Sequence, residues 1–111
     1  MNVLFGQVEK VDAYKMTAQT TKKDSFKDHT GETIKILKAC DYESVTRDGN
    51  TKTILSIMTD SGLVISGDSK TAQDSFAEMV QIFGEDLKEL PVEIVAETSK
   101  NGRTFISLQV K

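Results

Sequence analysis

Side-chain catalysis needs a nucleophile with a base, a carboxylate pair or a metal cluster, and few residues in this chain could supply one. His29 is the single histidine, in a polar stretch beside Asp28 and Thr30, and reads as a solvated loop residue. Cys40 is the single cysteine and has no basic neighbour in sequence. It reads as a buried thiol rather than a nucleophile. One cysteine makes no internal disulfide and no thiolate zinc cluster, which fits a reducing compartment. The carboxylate pairs Glu85-Asp86 and Asp41/Glu43 are of a kind that any acidic surface carries. Ser66-Gly67-Asp68-Ser69-Lys70-Thr71 ends in Lys-Thr but lacks the glycine spacing of a phosphate loop. These residues argue against an enzyme and call for no cofactor or metal.

Binding chemistry is better represented. Six lysines (Lys15, Lys22, Lys23, Lys27, Lys35, Lys38) stand against Asp24, Asp28 and Glu32 between positions 15 and 38, a net of +3 in a chain that is −3 overall. Phe26 and Tyr42 lie in or just beyond this stretch. Cations interleaved with aromatics suit a single-stranded nucleic acid, since ammonium groups meet phosphates and rings stack on bases. Each residue also has a plainer reading. Lys22 and Lys23 serve equally to solvate a loop, and Phe26 reads equally as a core anchor. Tyr42, between Asp41 and Glu43, favours an exposed ring. Phe105 alternates with Ile106, Leu108 and Val110 and so points away from the core among polar neighbours. Arg47, Lys100 and Arg103 add cations at two turn sequences.

The elements that must hold these residues follow from period and turn chemistry. Runs at Thr33 to Thr46, Lys52 to Thr59 and Leu63 to Ser66 are strand-like, broken at Arg47-Asp48-Gly49-Asn50 and Asp60-Ser61-Gly62. In the first run Ile34 and Ile36 share one face and Leu37 and Ala39 the other, a phase change that a β-bulge produces. Ile54, Leu55, Ile57 and Met58 crowd the second run as in a strand buried on both sides. A helix is expected from about Ser69 to Phe83, with Ala72, Phe76, Met79, Val80 and Phe83 as its apolar stripe and Gly84 at its end. A last hairpin turns at Lys100-Asn101-Gly102-Arg103. Strand, strand, strand, helix, strand, strand is the element order of the OB barrel. The expected fold is therefore mainly β: a five-stranded OB-type barrel over residues 31–111, with one helix between the third and fourth strands. Residues 1–30 form an N-terminal extension, read as an extra strand or an arm, with Val3, Phe5 and Val8 in one short strand and Val11 to Ala18 in a second.

Bulk numbers are compatible with one such domain: 111 residues, 38% hydrophobic and 6% aromatic. Residues 1–58 carry nine Lys/Arg against eight Asp/Glu, and residues 59–111 five against nine. The acidic half (Glu78, Glu85, Asp86, Glu89, Glu93, Glu97) is expected opposite the binding groove. No apolar run approaches the roughly 20 residues of a membrane span, and no secretory leader is recognisable. The chain reads as soluble and intracellular.

A set of ordered motifs then points to a family. Ala18-Gln19-Thr20, Ser25-Phe26-Lys27, Gly31, Tyr42, Ser69-Lys70-Thr71, Thr98-Ser99-Lys100-Asn101-Gly102 and Phe105-Ile106-Ser107-Leu108-Gln109 run in consistent order and spacing to the C-terminus. The set resembles the single-stranded-DNA-binding proteins of small protein-primed tailed phages, the phi-twenty-nine type. The resemblance implies an OB-like protein that coats displaced template strands without sequence preference in the cytoplasm of the bacterial host. It makes the phage DNA polymerase a candidate partner. It also implies Tyr42 as a base-stacking residue and supports Phe26 and Lys27. Two departures stand out. The loop Thr21-Lys22-Lys23-Asp24 replaces a glycine-rich one, and Gly49 and Ile65 stand where family members carry aromatics. Phe105 and Arg47 are the candidate replacements. The rival reading is an OB-fold accessory module that binds a replisome or host protein. Oligomeric state is left open.

Overall fold

The computed structural model describes residues Met1–Lys111. Its central hairpin pairs β4 (Ile36–Val45) with β5 (Thr51–Thr59), closed by a turn in which Gly49 takes φ +84°. β6 (Val64–Gly67) follows after Gly62 at φ +85°, a conformation in which side-chain-bearing residues are strained. The register runs from Lys38↔Met58 to Val45↔Thr51, with a shift between Ile36 and Lys38. That shift is the expected bulge. Its extra residue turns Ile36 and Ala39 to one face, both fully buried, and sends Lys38 and Cys40 to the other.

Residues before Thr33 add to the same sheet. β1 (Asn2–Phe5) pairs antiparallel with β4, and β2 (Asp24–Ser25) lies parallel to β6, giving the order β1-β4-β5-β6-β2. Phe5 meets Phe76 edge to face, with ring centroids 6.3 Å apart. The second N-terminal strand expected over Val11 to Ala18 is instead a helix, α1 (Lys10–Thr17). Apolar alternation there is outweighed by a local capping box, in which the Asp12 carboxylate accepts from the Glu9 backbone N–H at 3.0 Å. α1 buries Met16 in a small cluster with Cys40, Met58 and Val64 on the outer face of the sheet.

The second sheet has the order β3-β7-β8, from β3 (Thr33–Ile34), β7 (Val92–Thr98) and β8 (Thr104–Val110). β3 and β4 are two parts of one long run interrupted at Lys35, so this run links the two sheets. The main core fills the space between them: Ile36, Leu55, Ile57 and Ile65 face Val92, Ile94, Ile106 and Leu108. α2 (Lys70–Phe83) plugs it with Ala72, Phe76 and Met79, and Gly84 ends the helix as expected. A short 3₁₀ segment, Gly84–Glu89, then buries Leu87.

The five expected runs are all present, but their ladders do not close into a barrel: no strand pairing joins β6 to β8. Ser69, which caps α2, and Ser75 within it serve the β8 backbone instead. Ser69 Oγ donates to the Ile106 carbonyl at 2.9 Å, and the Leu108 N–H donates to Ser75 Oγ at 3.0 Å. Buried backbone groups need partners, and here the helix supplies them.

Candidate nucleic-acid interface

After the bulge, Lys38, Cys40, Tyr42 and Ser44 of β4 share a face with Met58, Ser56, Ile54 and Lys52 of β5. α1 covers the Cys40–Met58 end through Met16. Beyond it, the Tyr42–Ile54 and Ser44–Lys52 pairs remain. Tyr42 is half-buried, and burial holds its phenol above the usual range, with Cys40 as a lesser influence. Lys52 is exposed, and its ammonium donates to the Asp68 carboxylate at 3.0 Å.

Next to Asp68 opens a cleft of about 510 Å³, lined by Lys27, Ser69, Lys70, Thr71, Thr104 and Phe105 among others. Three segments build it. The start of α2 is set by Ser69, whose side chain accepts from the Ala72 N–H at 3.2 Å. The β8 strand supplies Thr104 and the half-buried Phe105. Lys27 comes from a 3₁₀ turn, Phe26–His29, begun by Ser25, whose hydroxyl accepts from the Lys27 N–H at 3.3 Å. The Asp68 carboxyl lies below its ordinary range because Lys52 donates to it, with the Lys27 charge acting in the same direction.

Phe26 corrects one expectation. It is only 2% exposed and belongs to the main core, so its ring is not offered to a base. The ring lies against the backbone of Gly67, where a Cβ would come within 2.9 Å of Phe26 Cδ2. Phe26 is the anchor that lets its exposed neighbour Lys27 project into the cleft.

Phe105 lines one cleft with Lys27 and Lys70, and aromatic and cationic side chains are the groups that stack on bases and neutralise phosphates. A family model described as Phage Single-stranded DNA-binding protein, of the Phi29 type, matches residues 7–111. The chain belongs to that family. No curated protein and no solved structure matches it. It is a phage single-stranded DNA-binding protein, and no helix in it is long and apolar enough to cross a membrane.

Other candidate DNA contacts are dispersed. Arg47 is exposed in the β4–β5 turn, and Lys100 and Arg103 are exposed in the β7–β8 turn that leads into Thr104 and Phe105. Lys22 lines a separate cleft with Tyr14 and Lys15. Lys23 is turned inward, its ammonium donating to the Ala18 and Thr21 carbonyls. Lys35 faces the turn at Asp60 and Ser61, beside Pro91. Lys38 is bound by the Asp12 carboxylate of α1, which it holds below the ordinary acid range. Of the acidic residues expected opposite the groove, Glu85 lies beside the far end of α2, a helix of 14 residues and therefore about 20 Å long. Against that expectation, Glu97 is the cross-strand partner of Phe105 and shares its face of the sheet.

Three residues on this surface were missed: Lys52, Ile54 and Lys70. For the first two the register decided. The turn is three residues, Arg47–Gly49, closed by the Thr46 N–H donating to the Asn50 carbonyl at 2.7 Å. It sets Tyr42 opposite Ile54 and Ser44 opposite Lys52, whereas a four-residue turn at Arg47–Asn50 would set them opposite Leu55 and Thr53. His29 also departs from a solvated loop residue. Its ring nitrogens lie 2.8 Å from Asp24 and 2.9 Å from Glu32, and hydrogen bonds to Glu32 and then Asp24 raise its pKa above 6.5.

Proposed function

We propose that this protein coats exposed single strands during phage DNA replication, without sequence preference, in the cytoplasm of the bacterial host and beside the phage DNA polymerase. Its core is read as an OB-type barrel opened at the β6–β8 seam, with β3 and β4 acting together as the first barrel strand. The strand is taken to cross the open face at Tyr42 and Ile54, pass Lys52, and enter the cleft of Lys27, Lys70 and Phe105. Tyr42 and Phe105 stack on bases, and the lysines meet phosphates. Arg47, Lys100 and Arg103 flank the path at the hairpin tips. Stacking tolerates every base because every base has a π-face.

The observation that carries this reading is the meeting of Phe105 and Lys27, distant in sequence, in one cleft beside Asp68 and the start of α2. The test is intrinsic tyrosine fluorescence during titration with oligo-dT at several salt concentrations, there being no tryptophan to mask Tyr14 and Tyr42. Saturable quenching, with log K falling by about 0.7 per log unit of salt for each phosphate contacted, is the expected result. No quenching and no gel retardation at low salt would overturn it and leave the protein-binding accessory module.

A further inference from the structure

Along the path just described, Asp68 stands between Lys52 and Lys27, while Lys70 meets Asp74 of its own helix at 3.6 Å. Resting on that reading, we propose that Asp68 occupies the place of a DNA phosphate and limits how tightly a single strand is held. Its carboxylate lies 3.0 Å from Lys52 Nζ, with the two side chains 53% and 55% exposed. A pair so open can be separated by an incoming anion with little desolvation, and exposed pairs are weak to begin with. A phosphate presents an ammonium group with the same kind of acceptor oxygen that Asp68 presents now.

The fold gives Asp68 no other evident task. Helix α2 is already capped by Ser69, whose hydroxyl holds the Ala72 N–H and also ties the helix start to β8. Asp68 lines the same cleft as Lys27 and Phe105. Binding therefore exchanges one partner of Lys52 for another, and leaves a carboxylate beside the strand that favours release. A coat that must be stripped as the strand is copied needs such a limit.

The experiment compares the full-length protein with Asp68→Asn, Lys52→Met and the double variant in the oligo-dT titration across NaCl concentrations. Asp60→Asn is the charge-matched control, since Asp60 lines a different cleft, with Lys35 and Pro91. Asp68→Asn is expected to bind more tightly, with a melting temperature lowered by no more than about 4 °C. Without a freed carboxylate to take up a cation as Lys52 turns to the strand, net counterion release rises and the salt dependence steepens by up to about 0.7 log unit. The advantage of the variant grows by up to about fivefold for each tenfold dilution of salt. Both effects disappear in the Lys52→Met background and are absent from Asp60→Asn. An unchanged salt slope, weaker binding, an equal gain in Asp60→Asn, or a gain that survives without Lys52 would overturn the inference. Failure of the unsubstituted protein to bind oligo-dT is a distinct result that removes the DNA path itself, and this inference with it.

Discussion

Substitution of Phe26 separates a core ring from a stacking ring, because the two roles predict opposite outcomes in two assays. Phe26 is 2% exposed, in contact with the Gly67 backbone and within the main core. Truncating such a ring costs about 3–5 kcal/mol, the lost transfer energy plus the cavity left behind. At about 2.1 cal/mol/K per residue, unfolding of a chain this long carries an entropy of about 0.23 kcal/mol/K. Phe26→Ala should therefore lower the melting temperature by about 13–22 °C. Oligo-dT affinity, measured well below that melting point, should stay within about threefold. Gly67→Ala supplies an internal check, since its new Cβ would stand 2.9 Å from Phe26 Cδ2. It should destabilise the unsubstituted protein and cost much less in the Phe26→Ala background, a coupling that a double-mutant cycle measures. A Phe26→Ala protein that melts within a few degrees of the original, yet binds oligo-dT tenfold more weakly, would refute this reasoning and return the ring to the DNA.

Other expectations follow from the same geometry. Tyr42→Ala and Phe105→Ala should each weaken oligo-dT binding by about 5- to 150-fold, the equivalent of 1–3 kcal/mol of stacking. Fluorescence titration and gel retardation read this; unchanged affinity in both variants would remove the stacking role. His29 has a raised pKa in the folded protein, so the stability it contributes is fully present below its ordinary value of 6.5 and is lost as pH rises through the raised value. The melting-temperature gap between the protein and His29→Gln should thus be widest between the carboxylate range and pH 6.5 and should shrink above it; a gap independent of pH contradicts the paired histidine. Ser75→Ala leaves the Leu108 N–H without its acceptor and should cost about 1–3 kcal/mol in chemical denaturation. No loss there would mean that the helix does not serve the β8 backbone.

Much of the frame was legible because it depends on local periodicity. The β4–β5 hairpin, the bulge near Leu37, helix α2 with its Ser69 cap, and the last hairpin each carry their own turn or cap chemistry. Of the candidate site, Lys27 and Phe105 were named and are found in one cleft, and Tyr42 was named and lies on the open sheet face. The misreadings have specific causes. Val11 to Ala18 alternates like a strand, but its first turn is stabilised by Glu9 and Asp12, which an apolar pattern does not register. Phe26 sits in a basic, polar stretch, and sequence context cannot show that a glycine forty-one positions later leaves room for its ring.

What the sequence by itself determined is the order of strands and helix, the likeness to a phage DNA-binding family, and the residue types available for stacking and phosphate contact. These depend on side-chain chemistry and on periods of two or 3.6 residues, which a linear chain displays. Only the tertiary structure decided which cations stand near the cleft. Lys38 meets Asp12 and Lys23 turns to its own loop, whereas Lys27, Lys52 and Lys70 collect around Asp68 and the Phe105 cleft. Only the tertiary structure, too, left the β6–β8 seam without strand pairing while Ser69 and Ser75 took up the β8 backbone groups. The physical reason is the same in both cases. Ion pairs and backbone satisfaction are settled by whichever partner the fold brings within hydrogen-bonding distance, and that partner can lie anywhere in the chain.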